Sequence, residues 1–190
     1  MKILFLGPGE SPVAKYLEGL GHKMLQTEGA LAPLASPFLE SPDWIISHGY
    51  RLIVPGAVIR SVPQGRAINL HISYLPWNRG ADPNLWSWIN DTPKGVSIHL
   101  LDEGIDTGPL CNRRLVSFDC ADHTLASSYA KLQDAMVELF KDTWPKAYKR
   151  GRYLPCVQPN EDGSCHMKAD KASIEHLLTK GWDTPVAELR

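Results

Sequence analysis

The sequence predicts an α/β domain built on a mostly parallel twisted sheet that is flanked by helices. Short apolar runs typical of buried strands recur through the first half of the chain, and turn-rich or helical segments separate them. The first run passes through a glycine turn into a helix, which is how a doubly wound sheet begins. A length of 190 residues suits one domain with a small appendage.

The opening unit has recognisable start and stop signals. Residues 2–6 are the first predicted strand, and the next helix would run from Pro12 to Leu20, with Ser11 as its cap and Gly21 after its end. The turn between them contains a G-x-G pattern without the third glycine of a dinucleotide-binding fingerprint, so no NAD site is predicted. The turn is expected to be a plain connection between the strand and the helix.

Further strands are predicted on the way to the middle of the chain. Residues 22–27 and 43–47 are apolar enough for buried strands, whereas residues 29–42 are predicted to be a variable surface segment. The connection after the later strand contains Pro55, a favoured residue for the start of a short helix through Ile59.

The residues suited to chemistry are concentrated between Ala67 and Leu110. A predicted strand covers residues 67–71, and Asn69 and His71 lie two apart, so they share one of its faces. A second predicted strand, residues 95–101, leads into an acidic turn that contains Asp106. An amide, an imidazole and a carboxylate are therefore expected at strand ends, where α/β sheets commonly carry their active sites.

These three groups suit the addition of a nucleophile to a carbonyl carbon. An imidazole transfers protons near neutral pH, an amide donates to a developing oxyanion, and a nearby carboxylate orients the imidazole and favours its protonated form. No Ser or Cys has the context of a nucleophile elbow, so no covalent acyl-enzyme is required. The alternative from the residues alone is that Asn69 and His71 cap turns and that Asp106 forms an Asx turn.

The motifs of this region, taken in order, resemble the folate-dependent formyltransferase family. They are N-L-H at 69–71, L-P at 75–76, R-G at 79–80, Pro83, G-V at 95–96 and D-E-G-I-D-T-G at 102–108. The resemblance implies a Rossmann-like formyltransferase fold, with residues 1–150 as the catalytic domain. It also implies transfer of a formyl group from 10-formyltetrahydrofolate to an amine, with Asn69, His71 and Asp106 as the catalytic residues.

The resemblance further implies a pterin pocket in the connection that follows residues 43–47. In the family, the corresponding segment lines the pocket and offers backbone amides to the edge of the pterin. The cofactor-binding residues implied here are Tyr50, Arg51, Leu52, Ile53, Asp102 and Gly104. An apolar slot with backbone donors suits a flat heterocycle, although an ordinary strand-to-helix connection would have similar residues.

Structural roles are favoured for two further histidines and for two tryptophans. His48 is expected to be a packed or turn residue and His99 to be structural, because it lies inside a predicted strand. Trp77 and Trp88 either pack in the core or cover a ligand, and core packing is favoured. No pair of histidines has the spacing of a metal site, so no metal is predicted.

The last part of the chain is predicted to form a long helix and then an appendage. Residues 124–148 have helical periodicity, with Asp122 as the expected cap. Residues 151–190 are predicted to form a small C-terminal hairpin and a short helix packed on the catalytic domain. The hairpin would join strands 152–158 and 164–169 through the turn at 160–163, and the helix would cover residues 171–180.

Composition limits the expected partners and location. The formal net charge of −1 gives no general attraction to nucleic acid or to an anionic membrane. No apolar run is long enough to span a membrane, and the apolar N-terminus is too short for a signal peptide. The 4 cysteines include no C-x-x-C pair and are expected to be reduced thiols. These features predict a cytoplasmic enzyme with no nucleic acid or membrane partner.

The acceptor amine is left open between two classes. A nucleotide-linked amino sugar and an aminoacyl group on a carrier protein both fit, the chain being a free-standing enzyme, a homodimer or a domain of a larger synthetase. Transfer RNA is not expected, because the chain leaves no room for the C-terminal barrel that methionyl-tRNA formyltransferases carry. In some relatives the turn at 7–9 helps to hold the acceptor, for instance a phosphate, and the resemblance leaves that role open here. Glycinamide ribonucleotide is less favoured, because the turn departs from the phosphate loop of that enzyme. The alternatives to transfer are a 10-formyltetrahydrofolate hydrolase and a non-catalytic folate-binding module.

Overall fold

A computed structural model describes residues 1–31, 42–119, 122–159 and 163–189. The strands are β1 (Lys2–Leu6), β2 (Lys23–Thr27), β3 (Trp44–His48), β4 (Ala67–His71), β5 (Arg79–Gly80), β6 (Gly95–Leu100), β7 (Leu110–Leu115) and β8 (Cys165–His166). The helices are α1 (Pro12–Gly19), α2 (Gly56–Ile59), α3 (Pro83–Ile89) and α4 (Leu125–Arg150). Short 3-10 segments cover Lys168–Ser173, Glu175–Leu177, Gly181–Asp183 and Val186–Leu189.

The main sheet has six strands in the order β2-β1-β3-β4-β6-β7. The first four of these are parallel to one another. Strand β3 is buried along its whole length, and so is β1 after its first residue, because helices cover both faces of this half. The predicted α/β fold with a helix-flanked sheet is confirmed.

The sheet becomes antiparallel beyond β4. Strand β6 pairs antiparallel with β4, and β7 pairs antiparallel with β6. The acidic turn that joins β6 to β7 is too short for the crossover that a parallel pair needs, so β7 has to return antiparallel. The sheet is therefore mixed, and β4 lies where the parallel and antiparallel halves meet.

The larger core lies between the sheet and helices α1 and α4. Trp144 of α4 is buried there, with its ring 4.9 Å from that of Trp44 and 5.4 Å from that of Phe140. A smaller cluster on the opposite face packs Val58 of α2 against β1 and β3. No helix in the described ranges combines the length and the apolar character that crossing a membrane requires.

Several predicted boundaries are corrected by the structure. Helix α4 is capped by Thr124 and not by Asp122, since the Thr124 side chain and Ser127 exchange the hydrogen bonds of a capping box. Helix α1 begins at Pro12 behind Ser11, as predicted, but ends one residue earlier, at Gly19. Ranges 32–41 and 160–162 lie outside the described residues, and they contain most of the predicted surface segment and of the predicted hairpin turn.

The predicted C-terminal hairpin is wrong. In the described ranges, Cys156 forms its bridge with Leu110, and β8 pairs parallel with β5, so the two predicted strands pair with the first part of the chain rather than with each other. The predicted helix at 171–180 consists of short 3-10 segments. The turn sequence predicted that the two strands pair with each other, but each of them pairs instead with an earlier part of the chain.

We predict that Trp144→Ala lowers the free energy of unfolding by about 3–5 kcal/mol, because it leaves a large cavity among aromatic side chains. Urea denaturation followed by circular dichroism measures this change. Tyr129→Ala on the same helix is the control, since Tyr129 is 43% exposed, and it should cost less than about 1 kcal/mol. Equal losses in the two variants would show that the aromatic cluster does not stabilise the fold.

Candidate active site

Two of the predicted site residues lie on β4, at the centre of the sheet. Asn69 is half-buried and His71 is 7% exposed. Asn69 lies opposite Ser47 of β3 on one side and opposite His99 of β6 on the other. Strand β4 is the last strand of the parallel half of the sheet. Its carboxyl end therefore lies at the edge of the sheet where α/β proteins bind ligands.

The Asp106 carboxylate joins these residues from the turn between β6 and β7. Its Oδ1 accepts a hydrogen bond of 2.9 Å from Asn69 Nδ2, and its Oδ2 accepts one of 2.8 Å from the Gly80 backbone N–H. Asp106 Oδ2 also lies 3.5 Å from His71 Nδ1. The three residues that the sequence singles out are thus brought together at one point.

The charge of Asp106 is stabilised in a largely buried position. Burial by itself would raise the pKa of this carboxyl group. Electrostatic attraction to the His71 ring, the hydrogen bond and attraction of the His99 ring, and the Gly80 amide outweigh burial and hold the pKa of Asp106 well below its ordinary value. Asp106 is therefore a carboxylate at neutral pH, and it provides a fixed negative charge to the surrounding rings.

The His71 ring is held between two acceptors. Its Nε2 donates to the Asn78 carbonyl at 3.0 Å, and its Nδ1 faces Asp106. Asn78 is itself fully buried, and its backbone has a positive φ of 54°. The Asn78 side chain donates to Thr92 Oγ1 at 2.7 Å, and its backbone N–H donates to Ser164 Oγ at 2.8 Å. The ring plane of His71 is consequently set by a rigid buried loop.

His99 belongs to this cluster, which the sequence analysis did not predict. Its Nε2 lies 3.2 Å from Asn69 Nδ2 and 3.3 Å from Asp106 Oδ1. Its Nδ1 donates to the Leu100 carbonyl at 2.8 Å, so Nδ1 carries a proton. The sequence favoured a structural role for His99 and did not place it beside Asp106. The antiparallel register of β4 and β6 was the missing information.

The acidic turn is ordered by its own side chains. The Asp102 carboxylate accepts from the Gly104 N–H at 3.1 Å and from Thr107 Oγ1 at 2.8 and 2.9 Å. Gly108 follows in a position where a Cβ atom would lie 1.8 Å from the Leu100 carbonyl oxygen, so only glycine fits. This close approach fixes where the turn returns to β7.

The segment expected to bind folate leaves β3 beside the acidic turn. Leu52 is 46% exposed and Ile53 is 65% exposed, whereas the Tyr50 hydroxyl donates to the Gly29 carbonyl. Helix α2, which follows, is tied to the turn by a 2.5 Å contact between Arg60 and Glu103. Two exposed apolar side chains thus lie on the connection between β3 and α2, and apolar contact of this kind suits a flat heterocycle.

His48 and Trp88, which were also singled out from the sequence, are both buried. His48 is buried between Ser11 Oγ, 2.8 Å from its Nδ1, and Gln133 Oε1, 2.9 Å from its Nε2, and burial lowers its pKa. Trp88 is fully buried in the core, whereas Trp77 is half-buried. In the described part of the chain, no three His, Cys, Asp or Glu side chains form a group that could hold a metal ion.

Comparison with known protein families assigns the chain to one of them. The model of the formyl transferase family matches residues 26–143, which is more than half of the chain. The chain belongs to the formyl transferase family. Because β3, β4, β6 and β7 all fall inside the matched range, the family assignment covers the whole cluster around Asp106.

Two solved formyltransferase structures are similar to this chain over most of its length. The formyltransferase PseJ from Anoxybacillus kamchatkensis, in complex with UDP-4,6-dideoxy-4-formamido-L-AltNAc and tetrahydrofolate, is 43% identical. The match covers 100% of this chain and 97% of PseJ, with a TM-score of 0.91. A 4-N formyltransferase from Francisella tularensis shares the fold, with 21% identity, a TM-score of 0.76 and coverage of 91% of this chain and 78% of that one.

Methionyl-tRNA formyltransferases are also similar to this formyl transferase. The protein from Myxococcus xanthus is 34% identical over 156 residues, which are 79% of this chain and 48% of the relative. The protein from Trichlorobacter lovleyi is 32% identical, over 78% of this chain and 45% of the relative. The chain thus spans about half the length of these two relatives.

We predict that Asp106 makes stability depend on pH in the acid range. Its pKa is depressed in the folded state, so its ionisation stabilises the fold above the unfolded carboxyl pKa of about 4. That contribution starts to be lost as the pH falls to the unfolded-state pKa, and it is gone once the pH has passed through the lower pKa of the folded state. The difference in unfolding free energy between wild type and Asp106→Asn should therefore shift against wild type between about pH 5 and pH 3.

Urea denaturation at several pH values measures this difference. Asp134→Asn removes an exposed carboxylate on α4 and controls for the general loss of one negative charge. A difference between wild type and Asp106→Asn that stays constant over this range would contradict the described environment of Asp106.

Proposed function

We propose that this protein is an N-formyltransferase that transfers the formyl group of 10-formyltetrahydrofolate to the amine of a nucleotide-linked 4-amino sugar. The family assignment supports formyl transfer as the reaction class. The observation that carries the acceptor is the 43% identity with PseJ over the whole chain, because the PseJ complex contains a UDP-linked 4-formamido sugar and tetrahydrofolate. The methionyl-tRNA formyltransferases match at 34% identity or less and over about half their length.

The chain offers a surface that fits the folate donor. The exposed side chains of Leu52 and Ile53 supply apolar contact, and the nearby acidic turn presents the ordered backbone of Asp102 and Gly104. When bound, 10-formyltetrahydrofolate supplies the electrophilic formyl carbon and a nitrogen leaving group. Residues 50–53 hold the heterocycle, and the polar cluster at the end of β4 faces the group to be transferred.

Asn69 stabilises the negative charge that develops on the formyl oxygen during attack. One Nδ2 hydrogen is engaged by Asp106 at 2.9 Å, and the other makes the longer contact of 3.2 Å with His99. The oxyanion takes this second hydrogen, because a charged acceptor forms a stronger hydrogen bond than a ring nitrogen. Asn69 therefore donates from a side chain that Asp106 has already oriented, and little reorganisation is needed.

His71 moves the proton that the reaction requires. It carries a proton from the amine nitrogen, which loses it as the new C–N bond forms, to the folate nitrogen, which gains it as the old bond breaks. Nδ1 is the nitrogen assigned to this transfer, since its 3.5 Å contact with Asp106 is looser than the Nε2 contact with Asn78. The Asp106 carboxylate stabilises the charged ring between the two steps.

The division of the chain follows from this assignment. Residues 1–150 carry the catalytic and folate-binding groups, and the residues after 150 brace them through β8 and Ser164. The acceptor is an amine-bearing small molecule, and the cytoplasmic location predicted from the sequence is part of the same proposal.

We predict that His71→Ala lowers kcat by about 100- to 10,000-fold, the range expected for loss of a positioned acid–base group. Binding of tetrahydrofolate, measured by calorimetry, should change little because the pocket segment 50–53 is untouched. His176→Ala, at an exposed histidine in the C-terminal segment, is the matched control and should retain the wild-type rate. Normal turnover by a folded His71→Ala variant would remove His71 from the mechanism.

We predict that tetrahydrofolate release from 10-formyltetrahydrofolate depends on a UDP-linked 4-amino sugar. The absorbance of released tetrahydrofolate is followed with that sugar, an aminoacyl carrier protein, methionyl-tRNA or glycinamide ribonucleotide, and without an amine. Release that depends on one of the other amines would support formyl transfer as the reaction but would show that the acceptor is not the UDP-linked sugar. Release without any amine would identify a hydrolase and refute the proposed transfer.

A further inference from the structure

Gln158 is a buried amide in an otherwise exposed stretch of the C-terminal segment. It is 4% exposed, whereas the preceding residue, Val157, is 81% exposed, and Pro159 is also exposed. A buried glutamine is retained at low cost only when its polar atoms are hydrogen-bonded. The surroundings of Gln158 satisfy this condition completely.

Both ends of the Gln158 amide are engaged. Its Nε2 donates to the carbonyl oxygens of Asp106 at 2.8 Å and Gly108 at 2.6 Å. Its Oε1 accepts from Arg79 Nη2 at 2.8 Å and from Arg79 Nε at 3.2 Å. The orientation of the amide is fixed chemically, because a guanidinium only donates and a carbonyl only accepts. Gln158 therefore makes all the hydrogen bonds that one amide group normally supports.

These contacts lie on both sides of the Asp106 carboxylate. On one side is the backbone of Asp106 itself, whose φ of 52° is costly for a non-glycine residue and has to be held by its surroundings. On the other side is Arg79, and the next residue, Gly80, donates its N–H to Asp106 Oδ2 at 2.8 Å. Gln158 thus links the segment that carries the carboxylate to the segment that orients it.

We propose that Gln158 is a positioning residue for formyl transfer, which acts by holding Asp106 in place against His71 and Asn69. The expected effect of Gln158 on the reaction rate rests on the proposed function. Its expected effect on the acidic turn rests only on the observed hydrogen bonds. Without the Gln158 amide, two carbonyls of the turn lose their donor, and the strained backbone at Asp106 loses a restraint. Small displacements of catalytic groups reduce rates strongly.

Two substitutions of similar size test this role. Gln158→Glu keeps an acceptor for Arg79 but removes both donors and places an oxygen against the two carbonyls. Gln158→Met removes every hydrogen bond and serves if the glutamate variant does not fold. Each is expected to lower kcat by about 10- to 100-fold, with smaller changes in KM for the folate. Val157→Ala is the matched control and should keep the wild-type kcat, because its side chain is exposed.

A double-mutant cycle separates positioning from a general structural effect. If Gln158 acts through Asp106, Gln158→Met should cost its full factor in the wild-type background and less than about twofold in an Asp106→Asn background. An equal factor in both backgrounds overturns the proposal, and so does a folded Gln158→Met variant with wild-type kcat. Single-turnover measurements determine the slow rates of the variants that carry Asp106→Asn.

Amide hydrogen exchange tests the same contact without relying on the reaction. Peptides covering residues 104–110 should exchange faster in Gln158→Met than in Val157→Ala, because the turn has lost its restraint. If wild type transfers no formyl group to any acceptor, the proposed function fails while faster exchange still establishes that Gln158 holds the turn. Unchanged exchange overturns the role of Gln158 whether or not the protein is a formyltransferase.

Discussion

The carboxylate of Asp106 attracts the groups around which the site is assembled. An amide side chain, a backbone N–H and two imidazole rings approach its two oxygens, and they come from β4, β5 and β6. A buried negative charge is costly unless it is paired and hydrogen-bonded. The folded chain therefore has to bring these strands into one register, and the geometry useful for chemistry follows from the same requirement.

The position of Asp106 depends in turn on features that have no direct part in chemistry. Its backbone has a positive φ, and the close approach of Gly108 to the Leu100 carbonyl leaves no space for a side chain. The buried aromatic cluster packs between α4 and the sheet and stabilises the strands that carry the site. Rigid packing under a polar edge is the usual way in which a protein keeps catalytic groups preorganised.

Local pattern was sufficient for part of this structure. Period-two spacing places Asn69 and His71 on one face of β4, and apolar runs mark the buried strands. The role of Asp106 came from the resemblance of its turn to a known family rather than from spacing. His99 was missed because its place in the site depends on which residue of β4 it opposes, and chain order does not encode that register. The hairpin was mispredicted for a related reason, since β8 pairs with β5, far away along the chain.

Residues beyond 150 reach back to the site at several points: Ser164 binds the loop that holds His71, and β8 pairs with the strand that contains Gly80. Gln158 is separated from Asp106 by 52 positions in the sequence. During synthesis on the ribosome, all strands of the main sheet therefore emerge before the residues that complete the contacts around Asp106. The geometry around Asp106 is complete only once residues 158–166 have joined the earlier strands, so the last contacts of the site are made by residues that the ribosome adds after the whole sheet.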